Sequence, residues 1–146
     1  IRSGAGYATA AVPGGLEDIF EAKLTEVMTR GFGVDALFLG ADEAAGIISH
    51  LEGAAAVVLG SGIGREDSTG DLVREISSRG VAPMVIDADA LSLIGDDPSP
   101  IRSRNGATVL TPHDGEAGRL LGRNSSEVAS RRLAITGASR SMEVTA

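Results

Sequence analysis

The chain has 146 residues, no cysteine, 42% hydrophobic residues and a net charge of −7. That length fits one domain with its own core; the missing cysteines exclude disulfides, zinc–thiolate sites and a thiol nucleophile. The acidic balance, with only 3% aromatic residues, argues against nucleic-acid partners, and no apolar run nears the roughly 18 residues that span a membrane.

Strand and helix signals then alternate along the chain. "GYATAAVP", residues 6–13, reads as a short strand, and "GGLEDIFEAKLTEV" after it as a helix, with Leu16, Ile19, Phe20, Lys23 and Val27 near helical spacing. "DALFLG" is the next strand candidate. "ADEAAGIISHLEG" predicts a helix with Asp42 as N-cap, Ile47, Ile48 and Leu51 facing inward and Gly53 just past its end. "AAAVVLG", residues 54–60, is a continuous apolar run of the kind found in buried parallel strands. A helix "STGDLVREISSRG", a strand "APMVIDAD", a surface loop "GDDPSPIRSRNG" and a strand "ATVLTPH" follow. "GEAGRLLG" and "NSSEVASRRLA" close the series as helices, the second with capping-box spacing between Asn124 and Glu127. Such repeated strand–helix units predict an α/β fold, a mostly parallel sheet with helices on both faces. Residues 135–146 fit no period and stay unassigned.

Three stretches carry polar chemistry, each directly after an apolar strand. The chain holds 20 glycines, near double the usual share of about 7%, and three of them stand in "VVLGSGIGRED" at Gly60, Gly62 and Gly64. Backbone N–H groups in such a loop can approach an anion; a merely tight strand-to-helix turn is the equal alternative. The loop is neither a dinucleotide fingerprint, because Arg65 takes the third glycine's place, nor a P-loop, because Lys23 is the only lysine. In "VIDADALSLIG", Asp87 and Asp89 share one side if the strand stays extended, a pairing suited to a metal or a hydroxyl-rich substrate. The competing reading has Asp89 cap the following helix. In "TPHDGE", His113 and Glu116 are three apart at a helix start and can meet; they can equally be a cap and a surface pair. Three such loops converging on one sheet edge mark a ligand site more strongly than any one of them.

"RSGAGYATAAVP", "AVVLGSGIGRE", "VIDADAL" and "TVLTPHDGEAGRLLG", in this order, resemble the NAD(P)H-hydrate dehydratases. These are ADP- or ATP-dependent repair enzymes of the ribokinase-like superfamily, with motifs usually reading GPGLGR, DADGLN and TPHPGE. The resemblance covers residues 1–134. It implies a ribokinase-like fold, and a substrate that is hydrated NADH or NADPH, whose misplaced hydroxyl is phosphorylated by the nucleotide and then lost as phosphate. It implies ADP or ATP and Mg2+ as cofactors, a cytoplasmic location, which the absence of a visible targeting segment also suggests, and possible self-association. By resemblance, Gly62, Gly64, His113, Asp114, Gly115, Glu116 and Arg119 line the hydrate site, Asp87 and Asp89 shape its polar floor, and Glu116 helps organise magnesium. Ser61 and Asp114 replace prolines of the usual motifs, and Ser92 replaces an asparagine. The family's Lys-Gly turn and its Gly-Thr-Gly-Asp loop, which supplies the catalytic base, do not occur in this sequence. The expectation is therefore an incomplete domain, a fragment with little activity alone. Two alternatives stand beside it: another ribokinase-like small-molecule kinase, or a non-catalytic dinucleotide-binding module.

Overall fold

Five short parallel strands alternate with seven helices over residues 4–130, the part of the chain that the computed structural model describes. In order they are β1 (Thr9–Pro13), α1 (Glu17–Lys23), β2 (Met28–Phe32), α2 (Ala44–Leu51), β3 (Val57–Leu59), α3 (Asp67–Arg79), β4 (Met84–Ile86), α4 (Ala88–Ile94), α5 (Ser99–Arg102), β5 (Thr108–Leu110), α6 (Asp114–Leu121) and α7 (Ser125–Ser130). Two one-turn 3-10 helices, Gly14–Leu16 and Ala41–Glu43, lead into α1 and α2. The α/β class and the parallel pairing are as expected. The strands, however, form two sheets: β1 with β2, and β3–β4–β5 in that order.

The core lies against the three-stranded sheet. Its rows Val57–Met84 and Leu59–Ile86–Leu110 face Leu72, Val73 and Ile76 of α3, Ala90, Leu91 and Ile94 of α4, and Ile47 of α2 in one apolar cluster. Side chains alternate across a sheet, so the middle row, Val58–Val85–Val109, points the other way. There Val58 is 71% and Val109 53% exposed. The continuous apolar pattern of β3 implies cover on both faces; α2, α3 and α4 supply it on the core face.

Several boundaries differ from the sequence pattern. The first helix stops at Lys23, buries none of its residues, and leaves Ile19 and Phe20 exposed. Residues 24–27, which the apolar spacing gives to the helix, lie beyond its end, and Met28–Phe32, a segment given no element from the sequence, pairs with β1 as β2. "DALFLG" is not a strand. Gly33 and Asp35 both take positive φ, which breaks extended backbone. Its last residues are clasped to α3 instead: Thr69 Oγ1 donates to the Leu39 carbonyl at 2.7 Å, and the Ala41 amide donates to Ser68 Oγ at 3.0 Å. Asp42 is not the cap before α2. Glu43 accepts from the Gly40 amide at 2.9 Å and closes the turn. The loop at residues 95–106 contains α5, started by Asp97 accepting from the Ser99 amide at 3.0 Å. Asn124 accepts from the Glu127 amide at 2.9 Å as expected, but the Glu127 carboxylate turns to Arg123 at 2.6 Å. The unassigned residues 135–146 lie outside the described residues.

Candidate functional site

Strand register builds the site. Leu59, Ile86 and Leu110 are partners across β3, β4 and β5, so the next residues, Gly60, Asp87 and Thr111, leave the sheet side by side. Backbone bonds continue the pairing one step: the Asp87 amide donates to the Leu59 carbonyl at 3.0 Å, and the Thr111 amide to the Ile86 carbonyl at 3.3 Å. The three loops singled out from the sequence do converge at the carboxyl ends of adjacent parallel strands, where open α/β sheets bind ligands.

The glycines divide into two kinds. Gly60, at φ +127°, is pressed against the start of α4, where a Cβ would overlap the Asp87 carbonyl oxygen and come within 2.7 Å of the Ala90 Cβ. It is a glycine because the turn needs one. Gly62 and Gly64 also have positive φ, +73° and +89°, but an added Cβ at either would meet nothing within 4 Å. They leave backbone exposed beside open space, which suits close approach of a ligand.

Asp87 and Asp89 do not share a strand face. The extended conformation ends at Asp87, and Ala88 takes φ +48° as α4 begins. Asp87, not Asp89, occupies the N-cap position, and its side chain makes no capping bond. It reaches across the strand ends instead. Thr111 Oγ1 donates to its Oδ1 at 2.7 Å, and Ser61 Oγ approaches its Oδ2 at 3.5 Å, the outer limit of a hydrogen bond. Asp89, in the first turn of α4, accepts from Arg65 Nε at 2.7 Å, an ion pair open to solvent. Each acid thus ties a different element of the Gly60–Arg65 loop to α4.

His113 is the N-cap of α6. Its Nδ1 accepts from the Gly115 amide at 3.0 Å, which leaves the ring proton on Nε2, 3.1 Å from Glu116 Oε1. Glu116 Oε2 accepts from the His113 amide at 3.0 Å, completing a capping box. Glu116 is 4% exposed, so the pair is half interior rather than a surface pair. Nδ1 and Oε2 are thus spent on backbone amides, while Nε2 and Oε1 lie against each other. What His113 offers a ligand is the exposed ring. Asp114 and Gly115 are half-buried in the first turn of α6. Arg119 is exposed one turn on, and its side chain makes no hydrogen bond or ion pair among the described residues.

Sequence reading missed Thr111 and the bridging role of Ser61. The signal was present: a hydroxyl directly after a strand lies beside the acid after its neighbour once the two strands are in register. An open hollow of about 490 Å3 between α3 and α5, lined by Asp71, Arg74, Glu75 and Ser99, gathers none of these groups.

A family model described as NAD(P)H-hydrate dehydratase matches residues 1–146, the tail included. Among curated proteins, the chain is 38% identical over 136 residues to the bifunctional NAD(P)H-hydrate repair enzyme Nnr of Moorella thermoacetica, covering 92% of this chain and 26% of that protein. It is 34% identical to the enzyme of the same name from Salinibacter ruber, over 95% of this chain and 26% of the relative. The Escherichia coli protein of that name is 34% identical over 77% of the chain and 22% of its own length. The chain spans about a quarter of the length of these relatives.

Proposed function

Because the chain belongs to the NAD(P)H-hydrate dehydratase family, with a strand–helix order consistent with a ribokinase-like fold, we propose that it forms the substrate-recognising part of an ADP- or ATP-dependent NAD(P)H-hydrate dehydratase, a lyase. The observation that carries this reading is the joining of the three loops through Asp87 at the carboxyl ends of β3, β4 and β5. In this reading the open backbone of Gly62 and Gly64 admits the ligand. Asp87 keeps acceptor capacity for a ligand hydroxyl, since a carboxylate offers about four lone-pair sites and two are used. The capped start of α6 presents the His113 ring beside them, and Arg119 supplies positive charge one turn on. Asp89 acts through Arg65, whose remaining guanidinium donors suit a phosphate of the dinucleotide.

The nucleotide would supply the phosphoryl group that converts the misplaced hydroxyl into a leaving group. Such a transfer needs positioning and charge stabilisation more than covalent help. No base is assigned to this chain, whose sequence lacks Gly-Thr-Gly-Asp. Magnesium is part of the family expectation, but Glu116 does not fit a direct ligand: it is buried and both its oxygens face His113. Among the described residues no three acidic or histidine side chains gather as a metal site, and no step is derived through the ion.

Binding tests the reading without requiring turnover. Titration calorimetry of the chain with hydrated NADPH and with intact NADPH is expected to favour the hydrate at least tenfold. Equal affinity for both would discard the hydrate reading in favour of a dinucleotide-binding module.

A further inference from the structure

We infer that Thr111, assisted by Ser61, is a positioning residue that orients the Asp87 carboxylate and couples the Gly60–Arg65 loop to the start of α6 for ligand binding. The inference rests on the proposed hydrate site and specifies what holds that site in shape.

The geometry favours this over a purely structural bond. Asp87 is only half-buried, and Thr111 and Ser61 are exposed. A hydroxyl–carboxylate bond in water adds little net stability, because solvent replaces either partner. The backbone already fixes the strand ends, through the Asp87 amide on Leu59 and the Thr111 amide on Ile86. The side-chain bonds are thus not needed to hold the sheet together. What they do fix is the rotation of one carboxylate. Its Oδ1 is held from the loop after β5 and its Oδ2 from the loop after β3. The lone pairs left over are then presented in one direction, between the loop after β3 and the loop after β5. Preorganisation of this kind raises affinity by removing the cost of ordering the group on binding. Ser61 contributes less than Thr111, since its 3.5 Å separation is long against 2.7 Å. It stands where the family motif usually has proline, a residue with no side-chain donor.

The test compares Thr111→Val, which keeps the shape and removes the donor, with Thr111→Ser, which keeps the donor. Hydrated NADPH is titrated against wild type and both variants by calorimetry, thermal midpoints are recorded, and the Asp87 side-chain carboxyl carbon resonance of the ligand-free chains is followed by NMR. T111V is expected to bind about tenfold more weakly and to shift the Asp87 carboxyl resonance. T111S should stay within twofold of wild type, with both midpoints within about 2 °C of it. Unchanged binding or an unchanged carboxyl resonance in T111V overturns the inference, and so does a matching loss in T111S. Should wild type itself fail to prefer the hydrate, the functional reading falls; the carboxyl resonance still decides whether Thr111 holds Asp87.

Discussion

Gly60 and Gly62 lie two residues apart, both at positive φ, and should respond to alanine in opposite ways. At Gly60 two costs add. The backbone at φ +127° is strained for any residue with a Cβ, at about 1–3 kcal/mol. The new methyl also overlaps the Asp87 carbonyl and sits 2.7 Å from the Ala90 Cβ and 3.0 Å from the Ala90 amide nitrogen. Overpacking against backbone costs about 1–3 kcal/mol more. Gly60→Ala should therefore destabilise the chain by about 2–6 kcal/mol, a large share of a typical stability, lowering the thermal midpoint by roughly 3–4 °C for each kcal/mol. Gly62→Ala meets nothing within 4 Å and bears only the left-handed backbone cost, about 1 kcal/mol or a few degrees. Its methyl fills space that the ligand is expected to use, so hydrate affinity should fall tenfold or more while the fold persists. Circular-dichroism melts and urea titrations read the first effect; calorimetry reads the second. Equal midpoints for the two variants would refute the division into a packed and an open glycine, and full hydrate binding by G62A would refute the ligand role of the open one.

Glu116→Ala leaves the His113 amide without its acceptor at the start of α6 and empties a buried position. A loss of about 1–2 kcal/mol is expected in urea titration, with Glu116→Gln losing less because an acceptor oxygen remains; a wild-type midpoint for E116A would show the capping box to be inert. Asp97 is held below its ordinary value of 3.8 by the Ser99 hydroxyl and then by the Ser99 amide. A carboxyl depressed by folding contributes stability that is present above about pH 4 and fades as pH falls through the lowered value. Asp97→Asn should therefore flatten the acid limb of the midpoint between pH 5 and 2, by a small amount because the group is fully exposed; parallel curves for the two proteins would contradict the assignment.

How far the sequence determined this picture varies element by element. The strands β3, β4 and β5 were legible because each apolar run stops at a glycine, an acid or a Thr-Pro, and the parallel order of three adjacent loops followed from strand–helix alternation. α3 was legible because Leu72, Val73 and Ile76 fall on one face at helical spacing and Gly80 ends it. β2 was not, since Met28–Phe32 is no more apolar than the helix end before it, and it is a strand because β1 offers it a partner. "DALFLG" failed for the converse reason: propensity was present, but among the described residues no strand pairs with it and the backbone turns at Gly33 and Asp35. Local pattern thus predicts an element only where tertiary pairing agrees with it. The site follows the same rule. Which residues are chemical could be read from "GSGIG", "DAD" and "TPHDGE", yet how they combine could not. Asp87 and Asp89, two apart, turned out to serve different partners because the strand ends between them. Thr111, 24 residues from Asp87, became its nearest donor through register alone. The conclusion reaches beyond this chain's own loops. Where strands are parallel and in register, the first residue after each one is a neighbour of the others. A hydroxyl, an acid and a glycine in those three places form a unit, although none of the three motifs holds more than one of them.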